Sequence, residues 1–366
     1  MIYKEYGKTG KRVSSVGFGG MRFKDSKDID GSAQTMIEAF NRGVNYFDTA
    51  PGYCGGRSEE IFGRAFEQLD RDKFYVSTKC GTWNAKNADE AMKVIETSLT
   101  KMKIDKINFY NCWCMQTMED YKTFMKKGGI YEGIVKARDQ GMVEHICFTT
   151  HMAGKDIAQV VADDVFEGVT LGYNAVNFAY RQEGVQAAAK AGIGIITMNP
   201  LGGGIIPQHP DYFSFLKKGN DSLVVSALKF ITSQPYITVA LAGIGTAEEA
   251  AECVLAGQDF YSLDPDYFDT MQKYLNEQLN MLCTGCTYCD HCPQGIEVPK
   301  YMDAFNEFIL SNEEKRVVDR LDGHWGQKPE DAAKCIECGE CERLCTQNLP
   351  IIKRLKFISQ IKGSQE

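Results

Sequence analysis

Short apolar runs alternate with amphipathic stretches over the first 257 residues of the chain. Eight runs have the length and composition of buried strands, at residues 16–21, 44–50, 74–80, 107–113, 146–150, 175–178, 193–199 and 237–244. Apolar positions recur at helical spacing between them, at residues 34–40, 59–69, 89–102, 131–140, 184–191 and 222–232. Eight strands that alternate with helices over about 250 residues predict a (β/α)8 TIM barrel. A doubly wound sheet shares this alternation, but the glycine fingerprint of a dinucleotide fold is missing.

The cysteines change this picture near the C-terminus. Eight of the 14 cysteines form two runs, Cys283-x2-Cys286-x2-Cys289-x2-Cys292 and Cys335-x2-Cys338-x2-Cys341-x3-Cys345. The second run has the spacing of the bacterial ferredoxin motif, whereas the first keeps the Cys-Pro ending but is one residue short in its last gap. Structural zinc more often takes two close pairs separated by a longer loop. The runs therefore predict two 4Fe–4S clusters and a protein that moves electrons.

The two patterns predict two domains. Residues 258–281 form the transition and include a predicted helix at 267–279. Further helical patterns, at 301–312 and 313–321, lie between the cysteine runs. We therefore expect a barrel over residues 1–280 and a small, mostly α-helical iron–sulfur domain over residues 281–366.

Composition and charge limit the classes of binding partner and the cellular location that the sequence predicts. The 366 residues carry a formal net charge of −8, which leaves no basic footprint for nucleic acid. No run of 18 apolar residues is present to span a membrane, and the N-terminal residues have neither the apolar segment nor the twin arginine of an export signal. The six scattered cysteines are predicted to be buried free thiols. These features predict a cytoplasmic protein, and two clusters suggest an anaerobe.

Candidate catalytic residues follow two neighbouring predicted strands. Asp48 and Tyr53 come at the end of the second strand, and Lys79 comes at the end of the third. In a barrel of this type, functional residues lie at the carboxyl ends of the strands. We expect the Lys79 cation to lower the pKa of Tyr53 while Asp48 positions the lysine. The phenol then gives or takes a proton at a carbonyl oxygen as hydride arrives at the carbon.

Three segments resemble the aldo-keto reductase family in sequence and order. They are Gly-Phe-Gly-Gly-Met-Arg at residues 17–22, Phe-Asp-Thr-Ala-Pro-Gly-Tyr-Cys-Gly-Gly-Arg-Ser-Glu at 47–59, and Ser-Thr-Lys at 77–79. The resemblance extends to about residue 257. With the cysteine runs, the whole chain is similar to the anaerobic branch of this family, which carries a C-terminal ferredoxin-type domain. It implies a catalytic tetrad in which Asp48, Tyr53 and Lys79 match the acid, the proton donor and the lysine. In two-cluster ferredoxins the last cysteine of one run ligates the other cluster, so Cys292 would serve with the second run and Cys345 with the first.

The fourth tetrad position departs from the family. Trp113 stands where the resemblance implies a histidine that orients the carbonyl. The indole N–H can donate one hydrogen bond, its face can pack on an apolar or sugar-like substrate, or the ring can fill the barrel mouth. His151, just past the fifth strand, is either a replacement acid–base group or a structural residue.

The resemblance also implies a nicotinamide nucleotide site. Its residues in this sequence are Gly20, Met21, Thr149, Thr150, Asn177, Met198, Leu201, Gly243 and Glu252. The basic residues that would bind a 2′-phosphate are missing, and Glu249 stands at one of their places. Carboxylates repel a phosphate dianion, so we expect NADH to be used or no nicotinamide at all.

Three functions remain open from the sequence. The first is an oxidoreductase that acts on a small organic carbonyl or alcohol, with two clusters that exchange electrons with an external ferredoxin or redox partner. The second is nicotinamide-independent acid–base, elimination or radical chemistry in the altered barrel site. The third is a non-catalytic electron-transfer module, against which the presence of Asp48, Tyr53 and Lys79 argues.

Overall fold

The computed structural model describes residues 1–264, 266–268, 271 and 281–361. An antiparallel hairpin, β1 (Tyr3–Glu5) and β2 (Arg12–Ser14), precedes the barrel. Tyr6, which follows β1, is buried in the barrel interior. Its ring stacks on that of Phe109, with the ring centres 3.9 Å apart. The predicted helix at 267–279 lies mostly outside the described residues.

Eight parallel strands form a closed barrel. They are β3 (Val16–Gly19), β4 (Tyr46–Asp48), β5 (Tyr75–Cys80), β6 (Ile107–Met115), β7 (Val143–Thr150), β8 (Gly168–Gly172), β9 (Gly194–Met198) and β10 (Val239–Gly243). Their order around the barrel is β10-β3-β4-β5-β6-β7-β8-β9. The predicted (β/α)8 fold is confirmed, and seven of the eight predicted strands overlap these.

The sixth predicted strand, at residues 175–178, is wrong. The sixth barrel strand is β8, and residues after it form a turn into the next helix. The Asn174 carboxamide oxygen accepts the backbone N–H groups of Val176 (2.9 Å) and Asn177 (3.1 Å). This local hydrogen bonding competes with strand pairing, while burial of the apolar side chains in the turn imitates a strand pattern.

Helices follow the barrel strands, as the fold requires. They are α1 (Ile29–Asn41), α2 (Ser58–Phe66), α3 (Ala88–Met102), α4 (Met118–Met125), α5 (Ile130–Asp139), α6 (Gly154–Ala162), α7 (Phe178–Ala191), α8 (Ile205–Gln208), α9 (Leu223–Thr232) and α10 (Ala247–Cys253). Side-chain caps start several of them. For example, Asn87 accepts the N–H of Glu90 at 3.0 Å, and Thr117 and Asp120 form a capping box. Helices α4, α6, α8 and α10 were not among the predicted stretches.

The described C-terminal residues form a helical domain with its own core. Its helices are α11 (Val298–Ser311), α12 (Glu314–Arg320), α13 (Glu340–Arg343) and α14 (Ile351–Gln360). Val298, Tyr301, Leu321 and Leu355 are among its buried side chains, and cysteines of both runs pack against this core. Among the described residues, no helix is long and apolar enough to span a membrane.

The chain divides into two compact units. One unit comprises Met1–Leu201 with Leu216–Pro265, and the other comprises Gly202–Phe215 with Asp266–Glu366. The loop after β9 thus belongs with the C-terminal residues. Within that unit, a Cβ at Gly203 (φ +75°) would overlap the carbonyl oxygen of Thr284, so only glycine permits this approach. Such long-range packing leaves no periodic signal in the sequence.

Candidate functional site

A buried ion pair lies at the carboxyl ends of β4 and β5. Lys79 Nζ lies 2.6 Å from Asp48 Oδ1, and each side chain is only 3% exposed. The Ser77 hydroxyl donates to the other carboxylate oxygen of Asp48 at 2.8 Å. Burial alone would lower the pKa of Lys79, but the Asp48 charge and the neighbouring groups raise it above its usual value. Lys79 therefore stays a cation and Asp48 its counter-ion.

Tyr53 lies over this ion pair. It begins a short 3₁₀ turn (Tyr53–Gly56) after β4, and Lys79 Nζ lies 5.0 Å from the centre of its ring. Burial raises the pKa of Tyr53 above its usual value, the Lys79 cation opposes this rise, and the Asp48 charge adds to it. The Lys79 cation thus lowers the pKa of Tyr53 as expected, but burial, which the sequence did not reveal, outweighs it. The phenol is a proton donor at neutral pH.

Trp113 forms a wall beside Tyr53. It lies on β6, next to a bulge at which Cys114 takes a left-handed conformation (φ +65°). The indole is 5% exposed and meets the Tyr53 ring edge-on, with ring centres 5.6 Å apart and planes at 88°. The half-exposed Trp83 ring lies 4.7 Å from it on another side. A substrate that reaches Tyr53 therefore meets an aromatic surface.

His151 follows β7 and is buried. Burial, with a further contribution from the Arg181 cation, lowers the pKa of His151 to about 3. The imidazole is therefore neutral at neutral pH and does not act as an imidazolium acid. Its backbone carbonyl accepts a hydrogen bond from Arg181 Nη2 at 3.0 Å.

Three predicted nucleotide-site residues are already engaged with the backbone. The Thr149 hydroxyl oxygen accepts the N–H of Cys114 at 2.7 Å, and the Thr150 hydroxyl donates to the carbonyl of Met115 at 2.9 Å. The Asn177 carboxamide oxygen accepts the N–H of Asn174 at 3.1 Å. All three side chains are buried; Thr149 and Thr150 are the last residues of β7, and Asn177 lies in the turn after β8.

The other predicted nucleotide-site residues follow β3, β9 and β10. Gly20 is packed against Phe62 and Ser58, so a side chain there would collide with both. The remaining positions lie at strand ends or in the following loops and helix: Met21, Met198, Leu201, Gly243 and Glu252. Glu252 accepts a hydrogen bond from the Ser222 hydroxyl at 2.6 Å. The Glu249 carboxylate caps the N–H of Gly245 at 2.7 Å, so both acids already have polar partners.

The eight clustered cysteines fall into two sets of four that cross the sequence runs. Cys292 lines one cavity together with the second-run cysteines Cys335, Cys338 and Cys341. Cys345 interacts electrostatically with the first-run cysteines Cys283, Cys286 and Cys289. This crossed partition is that of two-cluster ferredoxins. No group of three or more described His, Cys, Asp or Glu side chains is gathered around a single metal-ion position.

Two polar atoms beside the set that includes Cys283 fit a bound cluster. Thr284 Oγ1 and Arg354 Nη1 are buried and have no hydrogen-bond partner among the described residues. Buried donors without a partner are rare in folded proteins. Cluster sulfides would provide acceptors for them, and four thiolates would anchor the four irons.

Comparison with protein families agrees with both halves of the chain. The description "Aldo/keto reductase family" matches residues 15–276, which is more than half of the chain. The chain belongs to the aldo/keto reductase family. The description "4Fe-4S dicluster domain" matches residues 282–349. The protein is thus an oxidoreductase of this family with a ferredoxin-type domain.

Individual relatives match part of the chain. The chain is similar to L-galactose dehydrogenase of Arabidopsis thaliana, with 27% identity over 290 residues, 71% of this chain and 89% of the relative. It is similar to NADH-specific methylglyoxal reductase of Escherichia coli, with 32% identity over 109 residues, 25% of this chain and 33% of the relative. A solved aldo-keto reductase from Klebsiella pneumoniae in complex with NADPH superposes with a TM-score of 0.63 and 14% identity, covering 76% of this chain and 97% of that one.

Sequence reasoning missed three residues that support this aldo/keto reductase site. Asn111 Nδ2 donates to the Ser77 hydroxyl at 3.0 Å, which in turn holds Asp48. Period-two alternation could have found both, because it places Ser77 with Lys79 and Asn111 with Trp113 on one face. Arg181 is fully buried and donates to the carbonyls at the ends of β7 and β8. No local pattern identifies an arginine as buried.

Proposed function

We propose that the barrel transfers hydride between a nicotinamide nucleotide and a small organic carbonyl or alcohol, while the C-terminal domain relays electrons through two 4Fe–4S clusters. The buried ion pair beneath Tyr53 carries the proposal, because Lys79 Nζ lies 2.6 Å from Asp48 Oδ1 and 5.0 Å from the phenol ring centre. A phenol held beside a fixed cation suits proton transfer at a carbonyl oxygen.

Each residue of the site has a distinct role in this proposal. The nicotinamide supplies or takes the hydride when it is bound. Tyr53 gives its proton to the carbonyl oxygen during reduction and accepts one during oxidation. Lys79 holds the phenol and stabilises negative charge on its oxygen, and Asp48 keeps Lys79 in place. Ser77 orients Asp48 through its 2.8 Å hydrogen bond.

Trp113 takes the place of the family histidine in this proposal. An imidazole would give the carbonyl oxygen a second donor, which the tryptophan replaces with a large apolar ring. The edge-on contact with Tyr53 supports a role in shaping the substrate side of the site. We therefore expect substrates with an apolar or sugar-like face that packs on the indole.

The decisive experiment is a binding titration of the anaerobically purified protein with NADH and with NADPH. Binding of either, followed by oxidation of the bound nucleotide with a panel of small aldehydes, ketones and sugar lactones, supports hydride transfer. Failure of both nucleotides to bind refutes it.

Nicotinamide-independent chemistry is the second candidate. It is favoured by one observation: the oxygen atoms of Thr149 and Asn177, expected near the carboxamide, already accept backbone N–H groups. Tyr53 and Lys79 would then act as an acid–base pair in elimination or isomerisation. Turnover of a substrate with no nucleotide present would support this candidate.

We predict that NADH binds at least about tenfold more tightly than NADPH. Glu248 and Glu249 lie in the first turn of α10, where the family places basic residues. A charge-assisted contact to phosphate contributes about 1.5–3 kcal/mol, so its absence is visible as a tenfold or larger preference. Fluorescence titration with both nucleotides measures the ratio.

Tighter binding of NADPH would contradict this prediction and indicate a different source of positive charge. Arg22 and Lys24, from the loop after β3, lie against Gly243 and Gly245. Arg22→Ala and Lys24→Ala would then each weaken NADPH binding without affecting NADH.

We predict about eight irons and eight acid-labile sulfides per chain, because each 4Fe–4S cluster takes four thiolates. Iron, zinc and sulfide assays on anaerobically purified protein provide the measurement. The Cys338→Ser variant should disturb one cluster and leave four irons in place, whereas Cys253→Ser, at a buried thiol of α10, should leave all eight. Stoichiometric zinc without sulfide would refute the cluster proposal.

The physiological setting follows from the same proposal. A cytoplasm keeps the free thiols reduced, and low oxygen protects exposed clusters. An external ferredoxin or similar redox protein is the partner we propose for the relay, since clusters exchange one electron at a time and nicotinamide carries two.

A further inference from the structure

A buried arginine lies next to only one of the two cysteine sets. Arg354, on α14, is 4% exposed. Its Nη2 donates to the carbonyl of Met281 at 2.6 Å, two residues before Cys283, and its guanidinium lies 4.7 Å from the centre of the Phe305 ring. These contacts hold the cation at the set formed by Cys283, Cys286, Cys289 and Cys345, which we name the inner set.

The charge of Arg354 acts on the thiolates of the inner set. Burial lowers the pKa of Arg354 to about 10, and the thiolates of Cys283 and Cys345 oppose that lowering. The residue is therefore a cation at neutral pH. Its Nη1 is buried without a hydrogen-bond partner among the described residues, which leaves a donor for a cluster sulfide. No carboxylate forms an ion pair with Arg354 in the described part of the chain.

The other set, Cys292, Cys335, Cys338 and Cys341, has a different electrostatic environment. We name it the outer set, because Cys338 is exposed. The Glu342 carboxylate interacts electrostatically with Cys341. Glu340 lines the cavity of this set and forms an ion pair with Arg343 at 2.7 Å.

The inner set has a negative neighbour too, but it is neutralised. Asp303 interacts with Cys283 and is paired with Arg320 at 2.8 Å. Backbone N–H groups of Gly285 and Leu349 lie 3.4 Å from the sulfurs of Cys283 and Cys345. On the outer set, the backbone N–H of Glu337 lies 3.4 Å from the sulfur of Cys335, and the backbone N–H of Glu342 interacts with the sulfur of Cys341.

We infer that Arg354 gives the inner cluster the higher reduction potential, so that electrons entering at the outer cluster pass to the inner one. Each cluster takes up one electron, and no bond forms or breaks. The reduced cluster carries one more negative charge, which a buried cation stabilises strongly at low dielectric. Burial by itself would disfavour that extra charge. Arg354 therefore determines the order of the two potentials.

Within the C-terminal unit, the inner set also lies beside the loop after β9. Thr284 follows Cys283 of the inner set and contacts Gly203, which belongs to the same unit. The inference rests on the cluster part of the proposed function.

A reductive titration of the full-length, anaerobically purified protein tests the inference. Dithionite is the reductant, and electron paramagnetic resonance follows each cluster. The wild type should show two one-electron waves that differ at least about tenfold in reduction equilibrium constant, which is 59 mV for one electron. Cys338→Ser should perturb the lower wave, which assigns that wave to the outer cluster.

Variants of Arg354 and Lys353 test whether the charge of Arg354 causes the higher reduction potential. The Arg354→Gln variant should lower the reduction equilibrium constant of the higher-potential cluster by about tenfold or more and leave that of the other cluster unchanged. Arg354→Lys keeps the charge and should keep the higher wave above the lower. Lys353→Gln is the matched control, because it removes the same charge from the neighbouring, exposed position of α14, and neither wave should move.

Several outcomes would overturn the inference. They are a single wave in the wild type, assignment of the higher wave to the outer cluster, equal movement of both waves in Arg354→Gln, or an equal effect of Lys353→Gln. If the Arg354→Gln variant loses iron, the Arg354→Lys variant provides the test instead. A fall of its higher wave to the potential of the lower wave would refute the charge effect. A protein without labile sulfide refutes the cluster proposal itself, whereas eight irons with a single wave refute only this inference.

Discussion

Replacement of Tyr53 by phenylalanine should lower kcat/KM for carbonyl reduction by about 10²–10⁴-fold, the usual contribution of a positioned general acid. The aromatic ring at position 53 remains beside Trp113 and the Lys79–Asp48 pair. The variant therefore removes the proton-donating hydroxyl and keeps the packing. Nucleotide binding should be unchanged. Steady-state kinetics with the best substrate of the panel provide the measurement.

The pH profile separates the acid from a structural role. Because burial raises the pKa of Tyr53, the phenol is protonated through neutral pH. Reduction by the wild type should therefore be flat across neutral pH and fall only as the pH approaches that raised pKa. The residual activity of Tyr53→Phe should lack this fall.

Tyr131→Phe is the matched control for the loss of a hydroxyl. The Tyr131 hydroxyl donates to the carbonyl of Val165 at 3.1 Å, on the helical layer of the barrel. Its removal should not change kcat/KM. Unchanged turnover in Tyr53→Phe would remove the phenol from the chemistry and favour a barrel that does not catalyse hydride transfer.

Replacement of Trp113 by histidine should raise the reduction of simple aldehydes by about a hundredfold or more. One oxyanion donor contributes ~2.7–4 kcal/mol to transition-state stabilisation, and in the function we propose Trp113 stands in place of an imidazole donor. The native protein should accordingly be a poor reductase of generic aldehydes. Activity against a fixed aldehyde, compared at equal iron content, measures the gain.

Trp113→Phe distinguishes a missing donor from a bulky filler. Phenylalanine keeps an aromatic surface next to Tyr53 and Trp83 but has no N–H, so it should not gain activity. If the indole only fills the barrel mouth, Trp113→His should instead lower stability with no gain. Brisk aldehyde reduction by the native protein would show that the indole N–H, or His151 as a neutral donor, already fills the role.

Local motifs explain how much of the site the sequence predicted. Asp48, Tyr53 and Lys79 belong to short segments at strand ends, and parallel strands of a barrel bring such ends to one rim. The lowering effect of Lys79 on the pKa of Tyr53 was predicted, but the larger, opposite effect of burial was not. Burial of the phenol depends on Trp113 and other residues far away in sequence, and burial has the larger effect.

The prediction of a strand at residues 175–178 was wrong for a related reason. Apolar composition predicts burial, but it does not distinguish a strand from a buried turn. The hydrogen bonds of the Asn174 side chain decided that the chain turns into α7.

The sequence by itself determined the order of barrel and cysteine domain, seven barrel strands, the candidate acid and its ion pair, and the eight candidate cluster ligands. These features depend on periodicity and spacing between near neighbours. Only the tertiary structure decided that the loop after β9 belongs with the C-terminal unit and that Arg354 is buried beside one cysteine set. Those features depend on contacts between residues distant in sequence, and on the low dielectric that burial creates around a charge.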